Sequence, residues 1–188
     1  MPVAKHVRML NDTLTPLNRV LRLNGDPVDL SAYTVKFMME EDDGTSVLAA
    51  TATGVTAHPT QTFTAATTDI ITCNGHGVKE GDQIVLSNSG GALPAGLATA
   101  TRYFPREITP NTFKVSLTPN GGDVDITGTG TGTHSFYVVG SVQYDFLAAT
   151  VDEAGLFRGW FQISASSETM HFPDDEYGIP IEVKPFGN

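Results

Sequence analysis

Gly140-Ser141-Val142-Gln143-Tyr144-Asp145-Phe146 and, past a short polar stretch, Ala154-Gly155-Leu156-Phe157-Arg158-Gly159-Trp160-Phe161-Gln162-Ile163-Ser164 decide the fold class. Both runs alternate with a period of two, the signature of half-buried strands. The first puts Val142, Tyr144 and Phe146 on one face. In the second, Phe157, Gly159, Phe161 and Ile163 face a core, while Leu156, Arg158, Trp160 and Gln162 face outward. The acidic connection between them, with Asp152 and Glu153, is short, so the two runs read as paired strands.

Composition agrees with an all-β chain. Of 188 residues, 40% are apolar and 17% charged, with 19 glycines and 11 prolines, which is globular and rich in turns. Threonine is conspicuous throughout and suits a pleated surface. The length allows one good-sized domain or two small ones. A net charge of −10 argues against nucleic-acid binding, which needs clustered cations to neutralise phosphates. The charge is uneven: residues 137–188 carry two basic against eight acidic groups, and residues 1–57 carry five against seven. One end of the molecule can therefore attract the other end of a neighbour in an assembly; scattered solubility charge is the plainer reading. Cys73 is the single cysteine, so no internal disulfide is expected. No signal peptide and no membrane-length apolar run is evident, which predicts synthesis in the cytosol and no membrane partner.

The chain divides by its grammar into a host (1–57 and 137–188) and an insert (58–136). In the host, a strand is predicted at Leu21–Leu23, before the turn Asn24-Gly25-Asp26-Pro27. Thr34–Glu40 alternates with Val35, Phe37 and Met39 inward, and Glu41-Asp42-Asp43-Gly44 turns it into Ser46–Ala50. Host strands are expected to resume near Tyr137. Val3, Val7, Leu10, Leu14 and Leu17 recur at helical spacing, but Pro16 and the Thr13, Thr15 pair oppose a single helix. A strand or extended arm near His6–Leu10 is favoured, either folded onto its own sheet or reaching a neighbour.

The insert contains short strands punctuated by Gly and Pro: Asp69–Thr72, Ile84–Leu86, Tyr103–Pro105 and Asn111–Leu117, ending in Thr127-Gly128-Thr129-Gly130-Thr131-Gly132-Thr133-His134. This is the pattern of a small barrel or meander. The order of its pieces (Gly75-His76, Gly81-Asp82 before a strand, Leu93-Pro94-Ala95-Gly96-Leu97, an aromatic strand, Asn111-Thr112-Phe113-Lys114-Val115, then Gly-Thr-Gly-Thr-His) resembles a small β-module recurrent in phage tail and fibre proteins. Phe104 stands where a second tyrosine or valine is expected. The host pieces, with the corner Asp152–Phe157 and the Phe172-Pro173 turn, resemble the N-terminal immunoglobulin-like domain of phage baseplate upper proteins. The corner departs from that pattern in placing Leu156-Phe157 after Gly155.

Candidate chemistry is sparse. His6, His58, His76, His134 and His171 form no zinc spacing, and His76 and His134 read as turn residues. Asp123-Val124-Asp125-Ile126-Thr127-Gly128 opens like a calcium loop, but His134 occupies the closing position; alternating Asp on a strand's solvent face is the better reading. Asp174-Asp175-Glu176 reads as a solvated turn, and Ser87-Asn88-Ser89-Gly90-Gly91 as a loop rather than a phosphate cradle. No serine stands in a nucleophile elbow. Trp160 beside Arg158, with Leu156 and Gln162, has the composition of an interface hot spot. The alternative is that the insert or the N-terminal arm covers that side.

The expectation is an all-β protein, an immunoglobulin-like β-sandwich with an inserted small β-barrel-like module. The resemblance implies a structural component of a tailed-phage virion (baseplate, neck or head surface). It would be a homo-oligomer or present in many copies in the particle and dock on other virion proteins, without cofactor, metal or catalysis. Its place would be the virion after synthesis in the host bacterial cytoplasm. The alternative is a host-surface glycan-binding module acting through Tyr103 and Phe104, and less favoured, a polysaccharide depolymerase.

Overall fold

A computed structural model describes residues 5–166, 168–173 and 178–185. In chain order the strands are β1 (His6–Met9), β2 (Leu17–Val20), β3 (Arg22–Leu23), β4 (Asp26–Pro27), β5 (Thr34–Glu41), β6 (Ser46–Thr51) and β7 (Val55–Ala57). There follow β8 (Gln61–Ala65), β9 (Ile71–Thr72), β10 (Ile84–Ser89), β11 (Arg102–Arg106), β12 (Thr112–Ser116) and β13 (Thr133–Val138). The last are β14 (Ser141–Tyr144), β15 (Gly155–Ala165), β16 (Glu168–Phe172) and β17 (Ile179–Lys184). The chain is all-β: among the described residues, helix is limited to two three-residue 3₁₀ turns.

Two compact units emerge: one from residues up to Leu23, Val28–Ala57 and Gly140 onward, the other from Asn24–Pro27 and His58–Val139. The expected restart of the host near Tyr137 shifts by three residues. Strand β13 runs through Val138 and pairs with β10 and β8, so Tyr137–Val139 belong to the second unit.

The first unit is built from two sheets, in order β1-β17-β15-β5-β6 with β16 beside β15, and β2-β14-β7. Here the sequence reading needs one correction. Strands β14 and β15 are not partners: β14 pairs β2 and β7, whereas β15 pairs β5, β16 and β17. The connection between them carries a 3₁₀ turn at Ala148–Thr150 and takes the chain from one sheet to the other. The two apolar faces therefore meet instead of lying side by side. Val142, Tyr144 and Phe146 from one side and Val35, Phe37, Met39, Phe157, Phe161 and Ile163 from the other are all buried in one core. Phe37 stacks on Tyr144 at 4.0 Å and lies 5.2 Å from Phe161, in the offset geometries that aromatic quadrupoles favour.

Gly159 is explained by that ring. A Cβ there would stand 2.6 Å from Phe37 Cζ and 3.0 Å from Ile181 Cδ1. The strand accepts the entropic cost of glycine so that the Phe37 ring can occupy that space.

The N-terminal segment is a strand at His6–Met9, added in parallel to β17 of its own sheet. Of the helically spaced apolar residues, Leu17 is buried, Leu10 is partly buried, and Val7 and Leu14 are 50% and 91% exposed; Val3 lies outside the described residues. The strand predicted at Leu21–Leu23 begins earlier, at Leu17, and breaks at Leu21, whose side chain is buried.

The second unit is a closed barrel, β10-β11-β12-β9-β8-β13, around Phe63, Ile71, Ile84, Leu86, Phe113 and Phe136. Three expectations change. Ser87–Ser89 complete strand β10 rather than a loop. Asp123 and Asp125 lie in irregular chain, not on a strand. His134 is a buried strand residue of β13, not a turn.

Two outcomes follow. Gly159→Ala should destabilise the first unit by about 1–3 kcal/mol through overpacking, read as a lower denaturant midpoint; an unchanged midpoint would show that Phe37 moves aside freely. Ala57 lies opposite Val142 in the β7–β14 ladder. Residues 58–139 should therefore be replaceable by a short Gly/Ser hairpin loop, leaving a cooperatively melting β-domain. A non-cooperative or protease-labile product would show that the first unit does not fold alone.

Candidate docking face

On the outer side of the larger sheet of the first unit, the outward set predicted on β15 is in place. Leu156 is 54% exposed, while Arg158, Trp160 and Gln162 are half-buried. Arg158 is engaged within the chain: its Nε and Nη2 donate to Asp42 Oδ1 at 2.9 and 2.6 Å. Gln162 pairs across the ladder with His171, their side-chain nitrogens 3.1 Å apart. Trp160 sits opposite Met38, and Gly178 lies so close that a Cβ there would come within 2.6 Å of the indole. Covered on one side by backbone, the indole is a half-buried platform rather than a free side chain. Asp174-Asp175-Glu176, the acidic run before Gly178, lies outside the described residues.

Neighbouring strands extend this face in a way a single strand's sequence does not disclose. Register aligns Val7 on β1, Glu182 on β17 and Leu156 on β15 in one outward row. Met9, 39% exposed, follows one row on beside Lys184. Lys5 Nζ holds Glu182 Oε2 at 2.9 Å and keeps that carboxyl below its usual range. The row is thus apolar, charged, apolar.

The inward side of the same edge strand holds the residue that sequence reasoning missed. Arg8 is buried, on the core side of β1 opposite Val183. Its guanidinium lies 4.1 Å from the centroid of the Phe146 ring, a cation–π contact. It donates to the backbone carbonyls of Asp12 and Thr15 and lies 3.6 Å from Asp12 Oδ1. Asp12 Oδ1 also accepts the Leu14 N–H at 3.0 Å, so one buried cation organises the turn after β1. His6 stacks on Phe146 at 5.7 Å, and its Nε2, 3.3 Å from Arg8 Nη1, is placed to accept a proton-bearing donor. Burial, then the Arg8 charge, push the His6 pKa down. The signal available in the sequence was the order polar–apolar–charged–apolar over His6–Met9, read backwards: the charged position is the inward one.

In the barrel, the polar residues singled out from sequence are mostly structural. His76 is buried, with Nδ1 accepting the Val78 N–H at 3.0 Å, which assigns the proton to Nε2 for donation to Thr109 O at 2.8 Å. Asp123 is held below the usual carboxylate range by Lys114 at 2.9 Å and Arg106 at 3.1 Å. Cys73 is buried and 3.4 Å from Gln61 Oε1, and burial raises its pKa. Tyr103 is buried, its hydroxyl accepting the Ala98 N–H at 2.8 Å, so it presents no ring to a glycan; Phe104 is half-buried. Among the described residues no three His, Cys, Asp or Glu side chains converge as a metal site. A groove of about 1210 Å3 crosses the outside of the barrel over β8, between β9 and the Gly-Thr segment.

Comparison with protein-family models, with curated proteins and with solved structures returned no match.

Arg8→Ala should lower stability by about 3 kcal/mol, because it strips two carbonyls of a charged donor. For a chain of this size that is about 10 °C in Tm. The His6 contribution has a defined pH window. The folded ring is held neutral, so the unfolded chain takes up the proton first as pH falls. The stabilisation is complete above the ordinary histidine value of about 6.5 and is lost below it, toward the depressed folded value. The Tm advantage of the wild type over His6→Gln should therefore shrink on acidification from about pH 7.5 to 5; a constant difference would remove His6 from the acid response.

Proposed function

We propose that this protein is a structural component of a tailed-phage virion, at the baseplate, neck or head surface. It docks on other virion proteins through the outer face of the larger sheet in its first unit. The single observation that carries the docking is the row Val7–Glu182–Leu156, continued by Met9 and Lys184: apolar side chains in water, flanked by paired charges. That mixture is the anatomy of a protein interface, with apolar anchors bounded by polar groups. Trp160, half-covered by Gly178, adds a rigid aromatic on the same face.

The virion assignment is supported by the order of sequence pieces resembling phage baseplate and tail modules. An immunoglobulin-like reading of the first unit and a multi-copy assembly belong to the same proposal. Catalysis has no part in it, since no nucleophile–base or metal-ligand spacing stands in the sequence. Of the two aromatics considered for glycan binding, Tyr103 is spent in the barrel core.

The test pairs stability with occupancy. Leu156→Asp changes an exposed position, so its Tm should stay within about 2 °C of wild type. Its copy number in purified particles should fall about tenfold or more, the scale of losing an interface anchor. Absence of the wild-type protein from intact particles would overturn the virion reading. Wild-type occupancy by Leu156→Asp would leave that reading standing and remove the docking face.

A further inference from the structure

The groove over β8 is built, not incidental. Its floor is formed by β8 and the end of β9, where Thr64 pairs with Thr72 and Thr62 follows on the same outward face of β8. Thr62, Thr64, Thr72 and Thr133 are all exposed. In a chain of net charge −10, the residues lining this groove include no Asp, Glu, Lys or Arg.

One wall is the segment Thr129–Gly132, and it is pinned at three points. Thr131 N donates to Ala92 O at 2.8 Å, and Thr131 Oγ1 accepts the Ala92 N–H at 3.1 Å. Behind the wall, buried His134 contacts Thr129 O through Nε2 at 3.1 Å and the Asn88 side-chain amide through Nδ1 at 2.7 Å. In the orientation that gives Nδ1 the amide oxygen, Asn88 Nδ2 is buried without a hydrogen-bond partner. Turning the amide over lets its NH2 donate to Nδ1 while Nε2–H donates to Thr129. The glycines complete the fit. Both Gly130 and Gly132 have positive φ, and a Cβ would stand 2.6 Å from Ala92 O at Gly130 and 2.3 Å from Ser89 O at Gly132. The wall thus lies against the β10 end and its following loop as closely as backbone permits, and it holds Thr131 at the rim.

From this geometry we infer that the groove is a binding site for a neutral oligosaccharide. Each threonine offers a donor and two acceptors beside a methyl group, which matches a sugar's alternation of hydroxyls and C–H faces. Charged glycans are disfavoured, because an anionic group would meet no cation in the groove and the protein's overall field is repulsive. A pinned wall means that little ordering entropy is spent on binding, which lets many modest hydrogen bonds count. The groove belongs to the second unit and the docking face to the first, and the inference does not rest on the virion reading.

The experiment is a titration of the isotopically labelled full chain, followed by backbone amide NMR. The probes are neutral oligomers of glucose, galactose, mannose and N-acetylglucosamine, with heparin oligosaccharide as the charged counterpart. At least one neutral oligomer should shift the amides of Thr62, Thr64, Thr72 and Thr131 and leave the first unit unchanged. Thr64→Val and Thr133→Val keep the side-chain shape and should each weaken that binding about three- to tenfold, the scale of one hydrogen bond. The proposal is overturned if no neutral oligomer shifts groove amides at millimolar concentration, or if heparin alone does so. Shifts confined to residues around Phe104, or undiminished binding by both valine variants with native spectra, would equally overturn it.

Discussion

The stacking of Phe37 on Tyr144 is the contact on which the first unit depends. It joins a strand of the larger sheet to the central strand of the smaller one, and Phe146 and Phe161 are arranged around it. Phe161 and Phe146 approach Phe37 at 5.2 and 6.2 Å, and Tyr144 and Phe146 meet edge to face at 5.0 Å. The absence of a side chain at Gly159 makes room for the ring, and Phe146 in turn supplies the surface on which Arg8 and His6 lie. Local alternation creates the two apolar faces, whereas the size and flatness of these rings fix how closely the sheets pack.

That dependence also explains the edge of the sheet. A parallel edge strand of four residues has few ladder bonds to hold it, and edge strands are the usual points of fraying. Here the strand is anchored by turning a charged residue inward. Arg8 meets two carbonyls and an aromatic face instead of water, so its burial is compensated locally. The consequence is that Val7 and Met9 point outward. The exposed apolar row of the docking face and the buried cation are two sides of one register choice.

Period-two alternation is a local property, and wherever one face is buried it survives into the structure, as in Val35, Phe37 and Met39 or Phe157, Phe161 and Ile163. The insert was expected at 58–136 from its Gly- and Pro-punctuated short strands, and the compact second unit comprises Asn24–Pro27 and His58–Val139. Pairing was not legible. Nothing in the residues of Ser141–Tyr144 distinguishes Leu17–Val20 as a partner from the nearer Gly155–Ala165; the choice is made by the aromatic faces closing on each other. The candidate site divides likewise. The outward set on β15 follows from alternation, but its continuation through Val7 needs the register of strands far apart in sequence. The hydroxyl groove needs β8, β9 and the start of β13 at once. Arg8 was hidden because a charged residue between two apolar ones reads as solvent-facing until the partners of its guanidinium are known.

The ladder between β7 and β14 has a bearing on how the chain reaches this fold. Ala57 and Val142 are opposite one another although the whole barrel separates them in sequence. In an unfolded chain, bringing such distant residues together carries a loop-closure penalty and slows folding. The barrel, however, pairs its own first and last strands, with Gln61 opposite Phe136 and His58 stacked on Tyr137 at 4.3 Å. Once it has closed, the intervening chain no longer behaves as a long loop but as a short tether with its ends already side by side. A barrel that closes first would thereby act as an intramolecular staple, letting the smaller sheet of the first unit form at little entropic cost.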